Sequence, residues 1–374
     1  VITGATGAVG GALVPCLSAD SDATLYLIVR AKNDDDLRRR AAELRRYWNF
    51  DAAQAERVCF FRGDVTEPEL GLSETDHQRL TECATHFVHA AGCVQLNHSL
   101  AEARKSAVTS LRFVLDFTAE CRKRSAFRKL DCFSTVGVAG RQPGTLTETP
   151  VNAVRSFHNT YEAAKAEAEE LLLKEMAAGL PATIHRPSMV VGDSRTGNIA
   201  HFQVFYHLCE FFSGRRTWGW VPDPSDMRLD TVPADYVAAV VKLSLERDDA
   251  AGLILHECSG PQSLTVAELS ALVREFFKGQ GQTVPRLRQF PPKVYRRLIS
   301  LAGYFVSART RRVINTLPFF LDYLEDRQSF ANEKTAAFCA AGGVGLPKPK
   351  DYLPVVLAHY WRKKYENRSN AGVR

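Results

Sequence analysis

Tyr161 and Lys165 stand four residues apart in Tyr161-Glu162-Ala163-Ala164-Lys165, inside a run of strong helix formers (EAAKAEAEELLLKEM). In a helix that spacing puts the phenol and the ammonium on one face, about one turn apart. A nearby cation favours phenolate, so Lys165 is expected to lower the pKa of Tyr161 toward working pH. Tyr161 then has the chemistry of a general acid for a carbonyl oxygen whose carbon receives hydride. Thr135, with Ser134 beside it, ends an apolar strand-like run upstream (Leu130 to Phe133) and could hold the same oxygen. A Y-x-x-x-K match alone arises often by chance on exposed helices. Order gives this one weight: a glycine-rich turn, a strand ending in Ser-Thr, then Tyr161 26 positions beyond Thr135.

The glycine-rich turn opens the chain as Val1-Ile2-Thr3-Gly4-Ala5-Thr6-Gly7-Ala8-Val9-Gly10. It reads as the end of a buried strand, a tight turn and a helix start, with Leu13, Val14 and Leu17 at helical spacing. Gly4, Gly7 and Gly10 suit a turn that brings bare amides close to a pyrophosphate at a positive helix end, and Gly10 permits close helix–strand packing. The strand before them is short for a dinucleotide fold, and a fragment of a longer chain is expected.

Further elements must place these groups. Thr24 to Arg30 (TLYLIVR) reads as the second strand. At its end, where a dinucleotide fold meets the adenosine ribose, stands Arg30, with Lys32 two residues on. An acid there would suit the free 2′-hydroxyl of NAD, whereas arginine suits the 2′-phosphate of NADPH. Residues 35–48 read as a charged helix and Val58 to Arg62 as the third strand. Gly63-Asp64-Val65 follows, with Asp64 able to accept a hydrogen bond from the adenine amino group. Thr85 to His89 is the fourth strand, and the small Ala90-Ala91-Gly92 lets the loop run beneath a cofactor. A helix is expected over 98–122.

With these residues in view, the chain resembles the extended short-chain dehydrogenase/reductases, and more closely their thioester reductase and fatty acyl reductase branch. The resemblance is carried by Thr3 to Gly10, Leu27 to Ala31, Gly63 to Val65, His89 to Ala91, Phe133 to Val136 and Tyr161 to Lys165. The most branch-specific piece is His185-Arg186-Pro187-Ser188-Met189-Val190-Val191-Gly192-Asp193-Ser194-Arg195-Thr196-Gly197. Asp230 to Val237 (DTVPADYV) is a later marker. The motifs cover about residues 1–275.

The resemblance implies an α/β fold: a Rossmann-type doubly wound parallel sheet with an interleaved, smaller C-terminal substrate lobe. The NADP-binding domain would take 1–195, completed by about 228–260, and the lobe 196–227 and 261–365. It implies NADPH contacts at Thr3, Gly4, Thr6, Gly7, Ala8, Val9, Gly10, Arg30, Asp64, Val65, Ala90, Ala91, Tyr161, Lys165, Pro187 and Ser188. It implies catalysis by Thr135, Tyr161 and Lys165, with Lys165 also on the nicotinamide ribose. The reaction would be reduction of an acyl thioester, on a carrier-protein phosphopantetheine or on CoA, to an aldehyde and a thiol; some members continue to the alcohol. Two departures stand out. Ala107 occupies a place where the branch often has asparagine, and Thr160 precedes the tyrosine where glycine is common.

Composition bounds the alternatives. The 374 residues, 45% hydrophobic and 24% charged, suit an ordinary soluble enzyme with a large core. No apolar run approaches the ~20 residues of a membrane-spanning helix. The nine cysteines form no C-x-x-C pair, which argues for free thiols in a reducing, cytoplasmic setting and against a zinc site. A net charge of +6 permits an acidic partner without demanding nucleic acid.

Three segments stay open to two readings. The aromatic stretch Asn198 to Trp220 suits an acyl pocket or plain core, and residues 279–293 read as a linker within the lobe. The arginine-bearing stretch 294–313 suits a cap helix with a solvated face, or a surface for a carrier protein or a membrane. Residues 318–362 are expected to close the lobe, and 366–374 read as a disordered tail. An extended reductase of ketones or nucleotide sugars would share the glycine turn and Y-x-x-x-K, but would not be expected to carry the Gly192 to Gly197 run. A non-catalytic NADP-binding regulator has no need of Thr135, Tyr161 and Lys165 together.

Overall fold

The computed structural model describes residues 1–19, 22–96, 98–215, 217–223, 227–291, 294–295, 297 and 328–366. Seven parallel strands form the central sheet: β1 (Ile2–Thr3), β2 (Leu25–Val29), β3 (Val58–Arg62), β4 (His86–His89), β5 (Lys129–Phe133), β7 (Ala182–His185) and β12 (Ile254–Leu255). Their order is β12-β7-β5-β4-β1-β2-β3. The chain winds outward from β1 in both directions, which is the doubly wound arrangement. Its switch point lies between β1 and β4, where ligands bind at the strands' carboxyl ends.

Strand alternation makes two cores. On β2, Leu25, Leu27 and Val29 face one side and Ile28 the other; on β5, Phe133 opposes Leu130 and Cys132. The first face is covered by α1 (Ala8–Ala19), α2 (Asp34–Trp48) and α9 (Ala234–Glu246). The second face carries α4 (Glu74–Cys83), α6 (Ser110–Arg124) and α7 (Thr160–Ala177). Both faces being apolar is what an all-parallel sheet requires.

The first core continues without a break into α8 (Val204–Phe212), α10 (Val266–Gly279) and α12 (Pro349–Trp361). Phe205, Tyr206, Phe211 and Phe212 are buried there, and Tyr206 packs on Phe202 and Tyr360. The aromatic stretch is thus largely core, apart from the exposed Trp218. The linker expected over 279–293 contains a strand, β14 (Arg288–Phe290), paired in parallel with β9 (Trp220–Pro222). The helix expected over 98–122 is interrupted. A π turn at Lys105–Thr109 joins α5 (Leu100–Arg104) to α6. Most of 294–313, with 318–327 and 367–374, lies outside the described residues. No helix among the described residues is long and apolar enough to cross a membrane. The nine cysteines are free thiols, five of them buried.

The two branch-specific stretches form one unit. β8 (Met189–Val191) pairs in parallel with β11 (Thr231–Pro233). Asp193 then turns the chain, accepting from the Arg195 and Thr196 amides at 3.0 and 2.8 Å. Ser194 donates its amide and hydroxyl to Asp235 at the start of α9, at 2.8 and 2.6 Å. Gly197 has φ +71°, and a Cβ there would stand 2.6 Å from the Val355 carbonyl oxygen of α12. Gly252, at φ +91°, has nothing within 4 Å of that position. Both pay the left-handed penalty of about 1–2 kcal/mol when given a side chain. Gly197→Ala is therefore expected to lower the urea midpoint well beyond Gly252→Ala, the difference reporting the seat of α12 on this loop.

Candidate active site

The turn after β1 depends on missing side chains. Gly4 has φ +79°, and a Cβ would lie 2.4 Å from the Ala90 carbonyl carbon, so the exits of β1 and β4 touch backbone to backbone. At Gly10 a Cβ would stand 2.2 Å from the Gly4 oxygen. Gly7 differs: its Cβ would meet only that oxygen, at 3.2 Å, and its amide donates to it at 2.9 Å. The first bond of α1 runs from Gly11 N to Gly7 O at 2.8 Å. The amides of Ala8, Val9 and Gly10, with partly exposed Thr6, thus stand at the helix opening, where an anion binds. Thr3 lies beneath the turn rather than on it. Its hydroxyl is 2.9 Å from His89 Nδ1. Burial and the Lys165 charge push His89 down to about 3, so this imidazole is neutral.

Beyond β2, Arg30 is exposed and its carbonyl accepts from the Arg40 guanidinium. Arg62, in register with Val29 at the end of β3, is exposed and 3.5 Å from Asp34. Three arginines therefore gather where sequence reasoning had one. Asp64 holds Thr66 through one oxygen, Oδ1, with both bonds at 2.9 Å, leaving Oδ2 for another donor. Val65 is half-buried beside the second core.

Thr135, Tyr161 and Lys165 sit where the exit of β5 meets α7. Helix α7 contains neither proline nor glycine, and its one β-branched residue is Thr160 at its start. It is capped by Asn159, which accepts from the Glu162 amide at 3.0 Å. Thr135, partly exposed, caps a short turn by accepting from Gly137 N at 3.1 Å, and is hydrogen-bonded to Tyr161. Lys165 Nζ donates to the Phe133 carbonyl, the last residue of β5, at 2.8 Å. A methyl group on Gly92 would lie 3.5 Å from that nitrogen, so the loop after Ala90 and Ala91 passes over the ammonium.

Two expectations change. Lys165 does not lower Tyr161 here, since its ammonium is turned to Phe133. Burial pushes the phenol up to about 12 against the opposing Thr135 bond, with Glu162 and Cys93 adding to the rise. Tyr161 is a proton carrier at neutral pH, the state an acid needs. Ser134 does not join Thr135; it donates to buried Glu169 at 2.5 Å.

Pro187 and Ser188 follow β7. The Pro187 carbonyl accepts from Val136 N at 3.3 Å, and Ser188 N donates to Glu257 O at 2.9 Å. Sequence reasoning missed four buried groups around the site. His158 and Glu162, 2.9 Å apart, pair at the start of α7, and Arg186 grips Glu169. Each lies close in sequence to a motif residue, but only burial reveals its partner. A cavity of about 210 Å³ opens beyond Ala139, between Gln142–Thr147 and Gln328–Phe330.

A family model of NAD-binding proteins described as "Male sterility protein" matches residues 2–241. The chain belongs to this family. Isonitrile lipopeptide synthase of Streptomyces coeruleorubidus is 28% identical over 270 residues, 71% of this chain and 18% of that protein. Fatty acyl-CoA reductase 1 of Xenopus laevis is 31% identical over 135 residues, 34% of this chain and 26% of that protein. The chain thus spans a small part of either relative. The terminal R domain from the myxalamid PKS-NRPS biosynthetic pathway superposes with a TM-score of 0.81 at 25% identity, covering 97% of this chain and 90% of that one.

Within this male sterility family member, the open side of Gly7 and the arginines beyond β2 fit a phosphorylated dinucleotide. Gly4→Ala is expected to disrupt the turn, lowering the melting temperature and abolishing dinucleotide binding together. Gly7→Ala should keep the melting temperature while weakening binding at least tenfold, as read by fluorescence titration.

Proposed function

We propose that this chain reduces an acyl or peptidyl thioester to an aldehyde with NADPH. The observation that carries the reading is the meeting of Thr135, Tyr161 and Lys165 beside a glycine turn open to a dinucleotide. The amides after Gly7 would hold the pyrophosphate, and Arg30, with Arg40 and Arg62, the 2′-phosphate. Asp64 would take the adenine amine, and Lys165 the nicotinamide ribose. Ala90, Ala91, Pro187 and Ser188 would flank the ring's path. NADPH, when bound, supplies hydride to the thioester carbon.

The chain's own residues do the rest. Thr135 holds the carbonyl oxygen and Tyr161 gives it a proton, which its raised pKa keeps available. The resulting hemithioacetal breaks its C–S bond, leaving an aldehyde and a free thiol. The thiol would belong to a carrier protein's phosphopantetheine or to CoA, its arm entering by the cavity beyond Ala139. The fatty acyl-CoA reductase and the lipopeptide synthase among the relatives support a thioester. We assign 1–195 with about 228–260 to the cofactor domain, and 196–227 with 261–365 to the substrate lobe.

The test is NADPH oxidation with a panel of acyl-CoA and carrier-bound thioesters, ketones and nucleotide sugars. Oxidation with thioesters alone is expected; turnover only with ketones or sugars would refute the reading. Tyr161→Phe should keep NADPH affinity and lose at least a hundredfold in kcat. Arg30→Ser should weaken NADPH much more than NADH.

A further inference from the structure

We propose that Glu169, Arg186 and Ser134 are positioning residues that fix Thr135, Tyr161 and Lys165 relative to one another. The proposal deepens the reductase reading and rests on it for what the site does. Arg186 is fully buried, and Glu169 and Ser134 nearly so. The guanidinium grips Glu169 through Nε at 3.0 Å and Nη2 at 2.5 Å. Ser134 Oγ donates to the same carboxylate at 2.5 Å. The remaining nitrogen, Nη1, faces Thr147 O at 3.4 Å and His256 Nε2 at 3.1 Å.

Each member stands next to a residue of the site. Ser134 precedes Thr135 at the exit of β5. Glu169 lies one turn beyond Lys165 on α7, and Arg186 precedes Pro187 at the exit of β7. Three elements that must share one geometry are thus tied to one carboxylate. A buried ion pair adds little stability over apolar packing of the same volume. What a forked pair adds is direction.

The same carboxylate sets the charge. Lys165 is buried among Cys132 from β5, neutral His89 from β4, and Glu169 on its own helix. On the neighbouring helical segments, Arg104 and Lys105 are turned to Glu167 and Glu67. Burial drives Lys165 down, and Cys132 and Glu169 oppose it. Burial also raises the Cys132 thiol to about 12, so it is uncharged at neutral pH. Glu169, one turn beyond Lys165 on the same helix, is then the acidic neighbour that opposes this loss of charge.

The test uses the full chain and three variants: Glu169→Gln, Ser134→Ala, and Glu169→Gln with Arg186→Gln, which leaves no unpaired buried charge. The first readout is the Lys165 titration in cofactor-free protein, by NMR of ¹³C-dimethylated lysines assigned with Lys165→Arg. The second is the pH profile of reduction. Glu169→Gln should move the Lys165 titration, and the alkaline limb of kcat, down by about one pH unit, and the double variant, which removes the Arg186 cation as well, by less. Ser134→Ala should leave the titration in place and lower kcat three- to tenfold, with KM for the thioester unchanged. Wild-type titration and wild-type kcat in Glu169→Gln and Ser134→Ala would overturn the proposal, even if the double variant does not fold. A wild-type chain that reduces no thioester would sink the substrate reading, while the NMR titration would still decide the charge on Lys165.

Discussion

One hydrogen bond sets the terms for the rest of this structure: Lys165 Nζ to the carbonyl of Phe133, at 2.8 Å. It joins the helix that carries Tyr161 to the last residue of the strand that leads to Thr135. A buried ammonium is costly unless it is bonded and balanced. That requirement explains the polar groups collected on this side of the sheet, where apolar packing would otherwise be expected. The loop at Gly92 has to stay thin above the ammonium, and β1 and β4 have to meet through Gly4 without side chains.

A second constraint reaches from the sheet to the later helices. The face of the sheet covered by α1 and α9 shares its apolar core with α8, α10 and α12, so the sheet and these later helices are not independently packed. Asp235 fastens the Asp193–Gly197 loop to α9, and Gly197 seats α12. On that same face of the sheet, His185 is buried between Asp131 and Glu257. Burial opposes its charge, but the two carboxylates outweigh it and raise the imidazole to about 9. Buried polar groups thus gather at the ends of β5 and β7.

Much of this was legible in the residues. Hydrophobic periodicity and turn signals gave β3 its full span, Val58 to Arg62, and placed α7, because strand and helix periods are local properties. The glycine turn was readable for the same reason. Partnerships across the fold were not. Nothing local tells that Ser134 turns inward to Glu169 while Thr135 turns outward, or that the Asp193 loop and Asp235 are bound together. The direction of Tyr161's pKa was misjudged because spacing on a helix fixes proximity to Lys165 but not burial, and burial dominates here. The π turn at Lys105–Thr109 escaped because its sequence has ordinary helix-forming character.

The account turns on where the hydride goes. The most direct measurement is a single turnover with NADPH carrying two deuteriums on C4, an acyl thioester and an aldehyde trap, followed by mass analysis of both products. The account predicts one deuterium on the aldehyde carbon and one free thiol per NADPH oxidised. Aldehyde without the label, or oxidation of NADPH without release of thiol, would contradict it.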